Sequence, residues 1–456
     1  MKKNILYVCH NHPSVRPGGA EAYALELYKA MQHSSEFEPF FLAKGGPPMS
    51  RAGSQHPGTP FAPIDGDSHE YFFYTDGYEF DWLYGTMGGK DIYTRHFDRF
   101  LRDIQPDVVH VQHTLHLGYD LLRQIKTTLP NAVIVYTLHE LLPICHRQGQ
   151  MVRTVNNEEL CDRESPRRCH ECFPSISPQT FFMRKRFVQS HFSLVDLFIA
   201  PSRFLLERYL GWGIPQEKIR FEEYGRSSML QEQDDTDEAN RPRNRFGFFG
   251  QLTPFKGVHI LLEAMDLLVK DRAKSLVHSS KRSQWDVWSE PEAPSEPPQE
   301  EPHLWLHGAN LDFTSSGFQN QFNQLLENAS DYVTMVGRYD HKNLPRLMKR
   351  VDWVVVPSIW WENSPLVIQE AFMHGRPVIC SDIGGMAEKV THGVNGLHFR
   401  VGDPESLALT IRQATDTHGL WEKLRYGIPQ IYPMDDHIRE LTGIYRTLSS
   451  QSLQTR

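Results

Sequence analysis

The sequence predicts an α/β fold with two domains. Apolar, β-branched stretches of strand length alternate with amphipathic helices along most of the chain. This alternation stops in the charged stretch 234–245 and then begins again, so we place an interdomain linker there. A length of 456 residues also exceeds that of one typical domain. We therefore expect domains at 1–233 and 234–430, and a final segment, 431–456, whose helix packs back on the first domain.

The first domain opens with a strand at Ile5–Cys9, the glycine pair Gly18–Gly19 and an amphipathic helix. Glycines at a helix start let backbone N–H groups approach an anion. A Gly-Gly pair is, however, also common in turns that have no functional role. Residues 44–90 show little periodicity and are predicted as an excursion over the surface. Further strands and helices are predicted at Asp107–Val111, Tyr119–Thr127, Ala132–Leu138, Leu194–Ala200, Arg203–Leu210 and Lys218–Glu222.

The second domain repeats the pattern from a strand at Arg245–Gly250. Lys256–Gly257 then leads into a helix predicted at Val258–Val269. The stretch 275–302 is dominated by Ser, Pro, Glu, Lys and Gln, and it is predicted as a disordered insertion because it cannot bury enough apolar surface to order itself. The remaining strands are predicted at His303–His307, Tyr332–Val336, Val354–Val356 and Pro377–Cys380, and the last helix at Tyr432–Leu448.

Two carboxylates mark the unit that follows the strand Val354–Val356. Ser364 is predicted as a helix N-cap and Pro365 as the first helical residue, where its missing N–H costs nothing. Glu362 precedes this helix and Glu370 lies on it. Ligands of parallel sheets gather at the carboxyl ends of the strands, where helix N-termini favour anions. The unit is therefore predicted to bind the phosphates of a nucleotide.

Histidines follow two predicted strands of the first domain. His110, His113 and His116 occupy the end of one strand, and His139 with Glu140 follows the next. A single histidine at a strand end is usually a hydrogen-bonded core residue. Because several histidines occur at the same edge of the sheet, a functional role for them is as strongly favoured as a structural one.

Four of the six cysteines lie close together in a polar stretch, 145–174, predicted as a cysteine-rich insertion. They are Cys145, Cys161, Cys169 and Cys172. In a cytosolic protein such a set is more typical of a metal site than of disulfides. Four thiolates suit a structural zinc ion or a [4Fe–4S] cluster, with His146 and His170 as spare ligands, and four free thiols are the alternative.

Composition excludes some classes of protein. A net charge of −8 argues against a nucleic-acid-binding protein, which usually has a positively charged surface rich in Lys and Arg. No run approaches the roughly 18 apolar residues of a membrane span. The N-terminus has a basic start but only about five apolar residues, so it is predicted as a strand and not as a signal peptide. We expect a cytoplasmic protein.

With these motifs in place, the chain resembles the retaining glycosyltransferases of the GT-B fold, specifically glycosyltransferase family four. The motifs are GGAE at Gly18–Glu21, GQLTPFKG at Gly250–Gly257, the E-x7-E pair Glu362 and Glu370, and GRPVICSDIGGMAE followed by HGVNGLHF at His392–Phe399. The resemblance covers almost the whole chain, and the cysteine-rich element points to a subset of the family. It implies two Rossmann-like, doubly wound domains facing a central cleft, with no catalytic metal.

The resemblance also implies roles around the leaving phosphate. Gly18 and Gly19 would approach the donor diphosphate, as would the backbone of the stretch Ser364, Pro365 and Leu366. Lys256 would offset the charge that develops on the leaving phosphate. Gln251 stands where many relatives carry arginine, so the phosphate is expected to depend more on Lys256, Arg338 or Arg245.

Three further residues would contact the sugar and the nucleoside. Glu362 would hydrogen-bond the hydroxyls of the donor sugar, and Glu370 the hydroxyls of the ribose. His139 would lie at the reacting anomeric centre. No enzymatic nucleophile is expected, because retaining members of this fold favour a same-face substitution assisted by the leaving phosphate.

The implied reaction is transfer of a hexosyl group from a UDP- or GDP-sugar to a glycan or lipid-linked acceptor, in polysaccharide or surface-glycan synthesis. Such acceptors imply peripheral contact with the inner face of the membrane. One alternative is an inactive nucleotide-sugar-binding scaffold, but the presence of Lys256, Glu362 and Glu370 together disfavours it. Another is a metal or iron–sulfur regulatory protein, but the sequence shows no partner redox motif. A phosphorylase- or epimerase-like enzyme is disfavoured because no lysine motif of a pyridoxal site is evident.

Overall fold

The computed structural model describes residues 2–15, 18–46, 60–64, 69–75, 79–155, 159–227, 242–282 and 301–454. The chain divides into two compact units, which we call unit 1 (Met1–Ser228 with Tyr432–Arg456) and unit 2 (Met229–Ile431). The predicted linker falls largely on residues outside the described ranges.

Unit 1 is built on an eight-stranded sheet. Its strands are β1 (Lys3–Cys9), β2 (Phe37–Gly45), β3 (Phe61–Pro63), β4 (Glu70–Tyr74), β7 (Val108–Val111), β8 (Val133–Thr137), β9 (Leu197–Ala200) and β10 (Ile219–Phe221). Two more strands, β5 (Phe80–Asp81) and β6 (Thr86–Met87), pair with each other in a separate antiparallel hairpin. The order is β10-β9-β8-β7-β1-β2-β4-β3, and every pair is parallel except β3 with β4. The order along the chain reverses between β1 and β7, which makes the ends of these two strands the switch point of the sheet.

Unit 2 is built on a six-stranded sheet in which every pair is parallel. The strands are β11 (Arg245–Gln251), β12 (His303–Ala309), β13 (Val333–Gly337), β14 (Trp353–Val356), β15 (Val378–Ser381) and β16 (Gly396–Phe399). The order is β13-β12-β11-β14-β15-β16, so its switch point lies between β11 and β14. Central strands of such sheets are apolar on both faces, and all four residues of β14 are buried.

The α-helices lie between these strands in chain order. They are α1 (Gly19–Met31), α2 (Asp98–Ile104), α3 (Asp120–Thr128), α4 (Pro166–Cys172), α5 (Pro178–Phe192), α6 (Arg203–Trp212), α7 (Val258–Arg282), α8 (Ser316–Asn328), α9 (Leu344–Met348), α10 (Leu366–Met373), α11 (Gly384–Lys389), α12 (Pro404–Asp416), α13 (Leu420–Tyr426) and α14 (Met434–Gln454). A π-helical segment, Ile92–Phe97, runs into α2, and short 3-10 turns lie at Gln216–Lys218, Pro254–Lys256, Leu311–Phe313 and His341–Asn343. Within the described ranges, none of these helices combines the length and the apolar character needed to cross a membrane.

The last helix, α14, packs within unit 1. The hydroxyl of Tyr445 lies 2.6 Å from Nδ1 of His110 on β7, and both side chains are fully buried. The two oxygens of Glu36 accept hydrogen bonds from Arg446 at the surface of the same unit. The helix is thus tied to the sheet by a buried polar contact as well as by apolar packing.

The predicted α/β fold of two parallel-sheet domains is confirmed, but two local predictions were wrong. Glu70–Tyr74, inside the stretch predicted as a surface excursion, pairs with β2 as a strand of the main sheet. This strand reads EYFFY, and its aromatic side chains have high β propensity, which outweighs the irregular sequence around them.

The second error concerns the predicted insertion at 275–302. Helix α7 runs to Arg282, so the first eight residues of that stretch are helical. They read SLVHSSKR and contain neither Gly nor Pro, so no strong helix breaker stops the helix that precedes them. Residues 283–300 lie outside the described ranges.

Candidate active site

The candidate site of unit 2 lies at the switch point of its sheet. The turn Thr253–Gly257 follows β11, and the loop Pro357–Pro365 follows β14. Gly257 has a φ of +68°, and a Cβ atom there would overlap the carbonyl oxygen of Pro357. A hydrogen bond of 3.0 Å from Ile359 N–H to the Phe255 carbonyl joins the turn to the loop. The glycine therefore permits the close approach that places both segments side by side.

This approach brings two predicted residues together. Lys256 Nζ lies 2.6 Å from Oε1 of Glu362. The same oxygen accepts hydrogen bonds of 2.8 Å from Ser358 Oγ and from Trp360 Nε1. The ammonium group of Lys256 also lies 5.7 Å from the centre of the Trp360 ring.

These donors decide the ionisation of Glu362. Burial raises the pKa of this carboxyl, but the charge and hydrogen bond of Lys256, with the bonds from Trp360 and Ser358, outweigh it and leave the pKa below its ordinary value. Glu362 is therefore an ionised, strongly hydrogen-bonded carboxylate at neutral pH. Such a group can orient hydroxyls but is a weak nucleophile, because its electron density is already shared with three donors.

The helix start differs from the prediction. Pro365, with ψ of 116°, occupies the N-cap position of α10, and Leu366 is the first helical residue. Because the backbone at Pro365 is still extended, the helix begins one residue later than predicted and Ser364 does not cap it. The hydroxyl of Ser364 is buried and has no hydrogen-bond partner among the described atoms. A buried, unpaired hydroxyl beside a helix N-terminus is a position that an anionic ligand can satisfy.

Glu370 lies on α10, with only 7% of its surface exposed. Its Oε1 lies 2.9 Å from Nε2 of His341, a half-exposed side chain in the turn after β13. Glu362 and Glu370 are held by separate partners, so the two carboxylates do not share a proton. Their separate surroundings fit two different ligand groups.

A second glycine allows the loop to fold over the sheet edge. The N–H of Gly385, near the start of α11, donates a 2.8 Å hydrogen bond to the carbonyl of Glu362. A Cβ atom at Gly385 would overlap the carbonyl oxygen of Asn363. The GGMAE part of the sequence thus supports the backbone that carries Glu362.

The other donor residues predicted in unit 2 lie apart from this cluster. Gln251 is exposed at the end of β11, Arg245 is exposed at its start, and Arg338 is exposed just after β13. Among the described residues, no hydrogen bond or ion pair joins any of the three to Lys256 or Glu362.

In unit 1, Gly18 and Gly19 form the start of α1 as predicted. Gly18 occupies the N-cap with φ of −157°, and no side chain caps the helix. The carboxylate of Glu21 lies directly against Gly18, where a Cβ atom would overlap it. Glu21 Oε1 in turn lies 3.1 Å from Nε2 of His10, which follows β1.

His139 lies at the end of β8 between two polar side chains. Its Nδ1 is 2.5 Å from the hydroxyl of Tyr224, and its Nε2 is 2.9 Å from the amide oxygen of Gln112. Burial lowers the pKa of His139 well below its ordinary value, and the nearby histidines lower it further. The imidazole is therefore neutral, with its proton on Nε2 facing Gln112.

A pair of histidines lies at the switch point of unit 1. The ring centres of His10 and His113 are 3.9 Å apart, and the ring planes are tilted by 36°. His113 accepts a 3.0 Å hydrogen bond at Nδ1 from Leu115 N–H, so Nε2 carries the proton and donates to Glu140 Oε1 at 2.9 Å. Burial, followed by the proximity of His113, lowers the pKa of His10.

The cysteine-rich element does not form the predicted metal site. Across the described residues, which include Cys145, Cys161, Cys169 and Cys172, no group of three or more potential ligands is arranged to hold a metal ion. None of these four forms a disulfide bond, and each has intermediate exposure. Burial raises the pKa of Cys145 and Cys161, and raises that of Cys169 to about 12. Because these side chains do not converge, the structure does not support the predicted zinc ion or [4Fe–4S] cluster.

Several residues of both sites were not predicted from the sequence. They are Ser358, Trp360 and His341 in unit 2, and Gln112, Tyr224 and His10 in unit 1. Ser358 and Trp360 lie just before Glu362, so their spacing was a usable signal. Tyr224 and Gln112 are far from His139 in the chain, and only the folded sheet brings them to it.

The comparisons with known proteins match both halves of the chain. Residues 17–221 match the family model described as Glycosyltransferase Family 4, and residues 243–416 match Glycosyl transferases group 1. The chain belongs to the glycosyltransferases. The prediction of the enzyme class is confirmed at the level of the family, whereas the assignment to a cysteine-rich subset stays a prediction.

A curated relative agrees with this assignment over part of the chain. An uncharacterized glycosyltransferase of Methanocaldococcus jannaschii is 29% identical over 118 residues, which are 25% of this chain and 30% of that protein. The match therefore spans less than a third of the relative's length.

Solved glycosyltransferase structures match over nearly the whole chain. Sucrose-phosphate synthase from Thermosynechococcus elongatus has a TM-score of 0.67 at 17% identity, covering 99% of this chain and 100% of that one. HepE from Anabaena, in complex with UDP and glucose, has a TM-score of 0.61 at 17% identity, covering 98% and 100%. At this identity the likeness concerns the fold, and it confirms the GT-B prediction.

Proposed function

We propose that this glycosyltransferase is a retaining enzyme that moves a hexosyl group from a nucleotide-diphosphate sugar to a glycan or lipid-linked acceptor. The observation that carries the proposal is the contact between Lys256 and Glu362, 2.6 Å apart at the switch point of unit 2. In open α/β sheets this is where nucleotide ligands bind.

The leaving diphosphate would be stabilised by groups that are already in place. Lys256 supplies a positive charge, and the N-terminus of α10 supplies backbone N–H groups and the positive end of the helix dipole. The buried hydroxyl of Ser364 supplies one more donor. Because these groups need little rearrangement as negative charge develops, they can lower the barrier without a metal.

The ionised state of Glu362 supports a same-face substitution. Its Oε1 accepts three hydrogen bonds, so it is better suited to holding sugar hydroxyls than to attacking the anomeric carbon. In the proposed reaction, the bond from the anomeric carbon to the departing phosphate breaks as the acceptor hydroxyl adds on the same face. The departing phosphate takes the proton of that hydroxyl.

Glu370 would bind the ribose of the nucleotide. It lies about one helical turn into α10, whereas Glu362 lies in the loop before the helix, and its carboxylate faces the half-exposed imidazole of His341. A buried carboxylate with an exposed neighbour can accept both ribose hydroxyls. His139 and the helix start at Gly18–Gly19 are proposed to act from unit 1, at the anomeric centre and the diphosphate.

The identity of the donor is open to a direct test. HepE, whose structure contains UDP and glucose, makes UDP-glucose the first donor to examine. We would titrate the purified chain with UDP-glucose, UDP-galactose, GDP-mannose and ADP-glucose by isothermal calorimetry. Binding of at least one donor, weakened in Lys256→Met, is expected; failure of all four to bind would overturn the proposal.

A further inference from the structure

A shallow, open groove of about 640 Å³ lies between helices α4 and α5 of unit 1. It is lined by residues at the starts of the two helices, namely Ser165, Pro166, Arg167, Pro178, Gln179, Phe182 and Met183. Ser165 and Ser177 cap these helices, because the hydroxyl of each accepts a hydrogen bond from a backbone N–H of the first turn. A proline occupies the first helical position of each. Both walls of the groove are therefore fixed locally by the sequence.

Two large apolar side chains project from α5 beside this groove. Phe182 is 48% exposed and Met183 is 55% exposed, whereas neighbouring Phe181 is buried. Positions 179, 182, 183 and 186 share one face of the helix, and all four are exposed. Single exposed apolar side chains are ordinary, but two large ones side by side on an outward helix face form a patch. Such patches are typical of surfaces that contact a partner or a membrane.

Two arginine side chains adjoin this apolar patch. Arg167 lines the groove on the α4 side, together with Phe182 and Met183. The guanidinium group of Arg186 lies 5.5 Å from the centre of the Phe182 ring. Both arginines are exposed, and neither forms an ion pair within the described ranges. The patch therefore combines exposed apolar surface with two cations that are available to a partner.

The carboxylates near the patch do not cancel this positive charge. The stretch 161–190 contains three of them, and each is already paired with a cation. Glu164, whose side chain is 7% exposed, lies 3.1 Å from Lys185 Nζ. Asp162 pairs with Arg168, and Glu171 pairs with a buried arginine. The two arginines beside the patch thus give it a net positive charge, which is complementary to an anionic surface.

We propose that this face of α4 and α5 docks on a bilayer that contains anionic lipids. Phe182 and Met183 enter the boundary between head groups and acyl chains, where their apolar area leaves water. Arg167 and Arg186 lie at the level of the lipid phosphates, to which a guanidinium group donates paired hydrogen bonds. The contact of Arg186 with the Phe182 ring suits this arrangement, because an arginine stem can lie along apolar surface while its charge stays at the interface.

The openness of the patch favours a bilayer over an acidic protein segment. The apolar side chains lie on an outward helix face and not in a closed slot, so a single peptide chain would leave much of them in water. A bilayer surrounds side chains that project from a helix surface. The inference does not depend on the donor chemistry of unit 2, and it gives the membrane contact expected from the sequence a defined surface.

The test measures how much of the full chain sediments with sucrose-loaded vesicles. One set of vesicles contains phosphatidylcholine alone, and the other contains phosphatidylcholine mixed with phosphatidylglycerol. We expect the chain to bind the anionic set and to bind the neutral set weakly. Raising the salt from about 0.1 M to about 1 M should release most of the bound chain, because the screening length falls from about 10 Å to about 3 Å.

Two double variants test whether this surface makes the contact. Phe182→Ser with Met183→Ser removes the apolar patch, and Arg167→Gln with Arg186→Gln removes its two charges. Each should weaken binding to the anionic vesicles by about tenfold or more. Circular dichroism of each variant checks that the fold is intact.

Matched double variants elsewhere in the chain serve as controls. Arg95→Gln with Arg99→Gln removes two exposed charges from another helical segment of unit 1. Leu409→Ser with Tyr426→Ser removes two exposed apolar side chains from unit 2. Both controls should bind the anionic vesicles as the wild type does.

Equal binding to the two sets of vesicles, or binding to neither, would overturn the inference. So would double variants of the patch that bind as the wild type does. Binding to poly-glutamate but not to anionic vesicles would assign the patch to an acidic protein partner and also overturn it. Donor affinity, measured separately, should be unchanged in both variants of the patch. A chain that binds vesicles but no nucleotide sugar would refute the proposed function and keep this surface.

Discussion

Lys256 Nζ and Glu362 Oε1 are 2.6 Å apart, although 106 positions separate them in the chain. The contact exists because β11 and β14 are neighbours at the switch point of the sheet, and because Gly257 lets the two following loops touch. A cation and an ionised carboxylate are thereby placed beside the N-terminus of α10. The predictions below follow from this arrangement and from the buried polar network of unit 1.

Replacing Lys256 by methionine should slow sugar transfer or donor hydrolysis by about 100-fold or more, because the charge facing the leaving phosphate is lost. The affinity for the donor should fall less than the rate. Steady-state kinetics give both values. Lys423→Met, which removes an exposed lysine of the same unit, is the matched control and should behave as the wild type. A Lys256→Met rate within about threefold of the wild type would contradict the role.

Glu370→Gln should weaken the nucleotide itself. If Glu370 accepts the ribose hydroxyls, the wild type should bind UDP about tenfold or more tightly than 2′-deoxy-UDP, and the variant should barely distinguish them. Calorimetry on the two nucleotides measures this difference. Glu405→Gln alters an exposed carboxylate of α12 and should keep the wild-type discrimination. Equal discrimination by Glu370→Gln would refute the ribose contact.

Gly257→Ala should destabilise unit 2 by about 2 kcal/mol or more, because φ is +68° and the new methyl group would overlap the Pro357 carbonyl. Lys256 should be displaced at the same time, so activity falls as well. Gly317→Ala is the control: nothing lies within 4 Å of its Cβ position, and alanine in α8 should be neutral or stabilise by up to about 1 kcal/mol. Urea unfolding compares them, and equal stabilities would contradict the close packing.

His110 predicts a pH dependence of stability. Its burial lowers the pKa from 6.5 to about 3, so near pH 5.5 the unfolded chain binds a proton that the folded chain does not. Stability is therefore full above pH 6.5 and falls below it, with about 1.4 kcal/mol lost from this group between about pH 7.5 and pH 5.5. In His110→Gln, the change in unfolding free energy over this range should shrink by that amount. An unchanged pH dependence would show that another group is responsible.

The alternation of apolar strands and amphipathic helices was enough to predict the fold class. The strand β14, which reads WVVV, is apolar on both faces, and this pattern is typical of central parallel strands. The strand β4 was missed because it is short and lies in an irregular stretch, so its pairing with β2 depends on tertiary context.

The candidate site was only partly predictable. The spacing of Glu362 and Glu370 and the position of Lys256 were visible in the sequence, but their partners were not. The contacts of His341 with Glu370 and of Tyr224 with His139 depend on where loops return to the sheet edge. Ser364 was predicted as a cap from residue type alone, whereas the extended backbone at Pro365 moves the helix start by one residue.

The cysteines show the limit of spacing as a signal. Four thiols in one short stretch indicate a metal site only if their Sγ atoms converge, and convergence depends on the backbone path. In this fold Cys145 follows β8, whereas Cys169 and Cys172 lie on α4. Among the described residues no three potential ligands meet at one point.

The measurement that tests the proposed chemistry most directly is a proton NMR time course of donor cleavage. The purified chain is given the α-linked nucleotide sugar that it binds, and the anomeric proton of the first sugar product is observed before mutarotation. A same-face substitution at the Lys256–Glu362 site predicts the α-anomer first, with a rate about 100-fold lower in Lys256→Met. The β-anomer as first product, or cleavage by Lys256→Met at a rate close to that of the wild type, would contradict it.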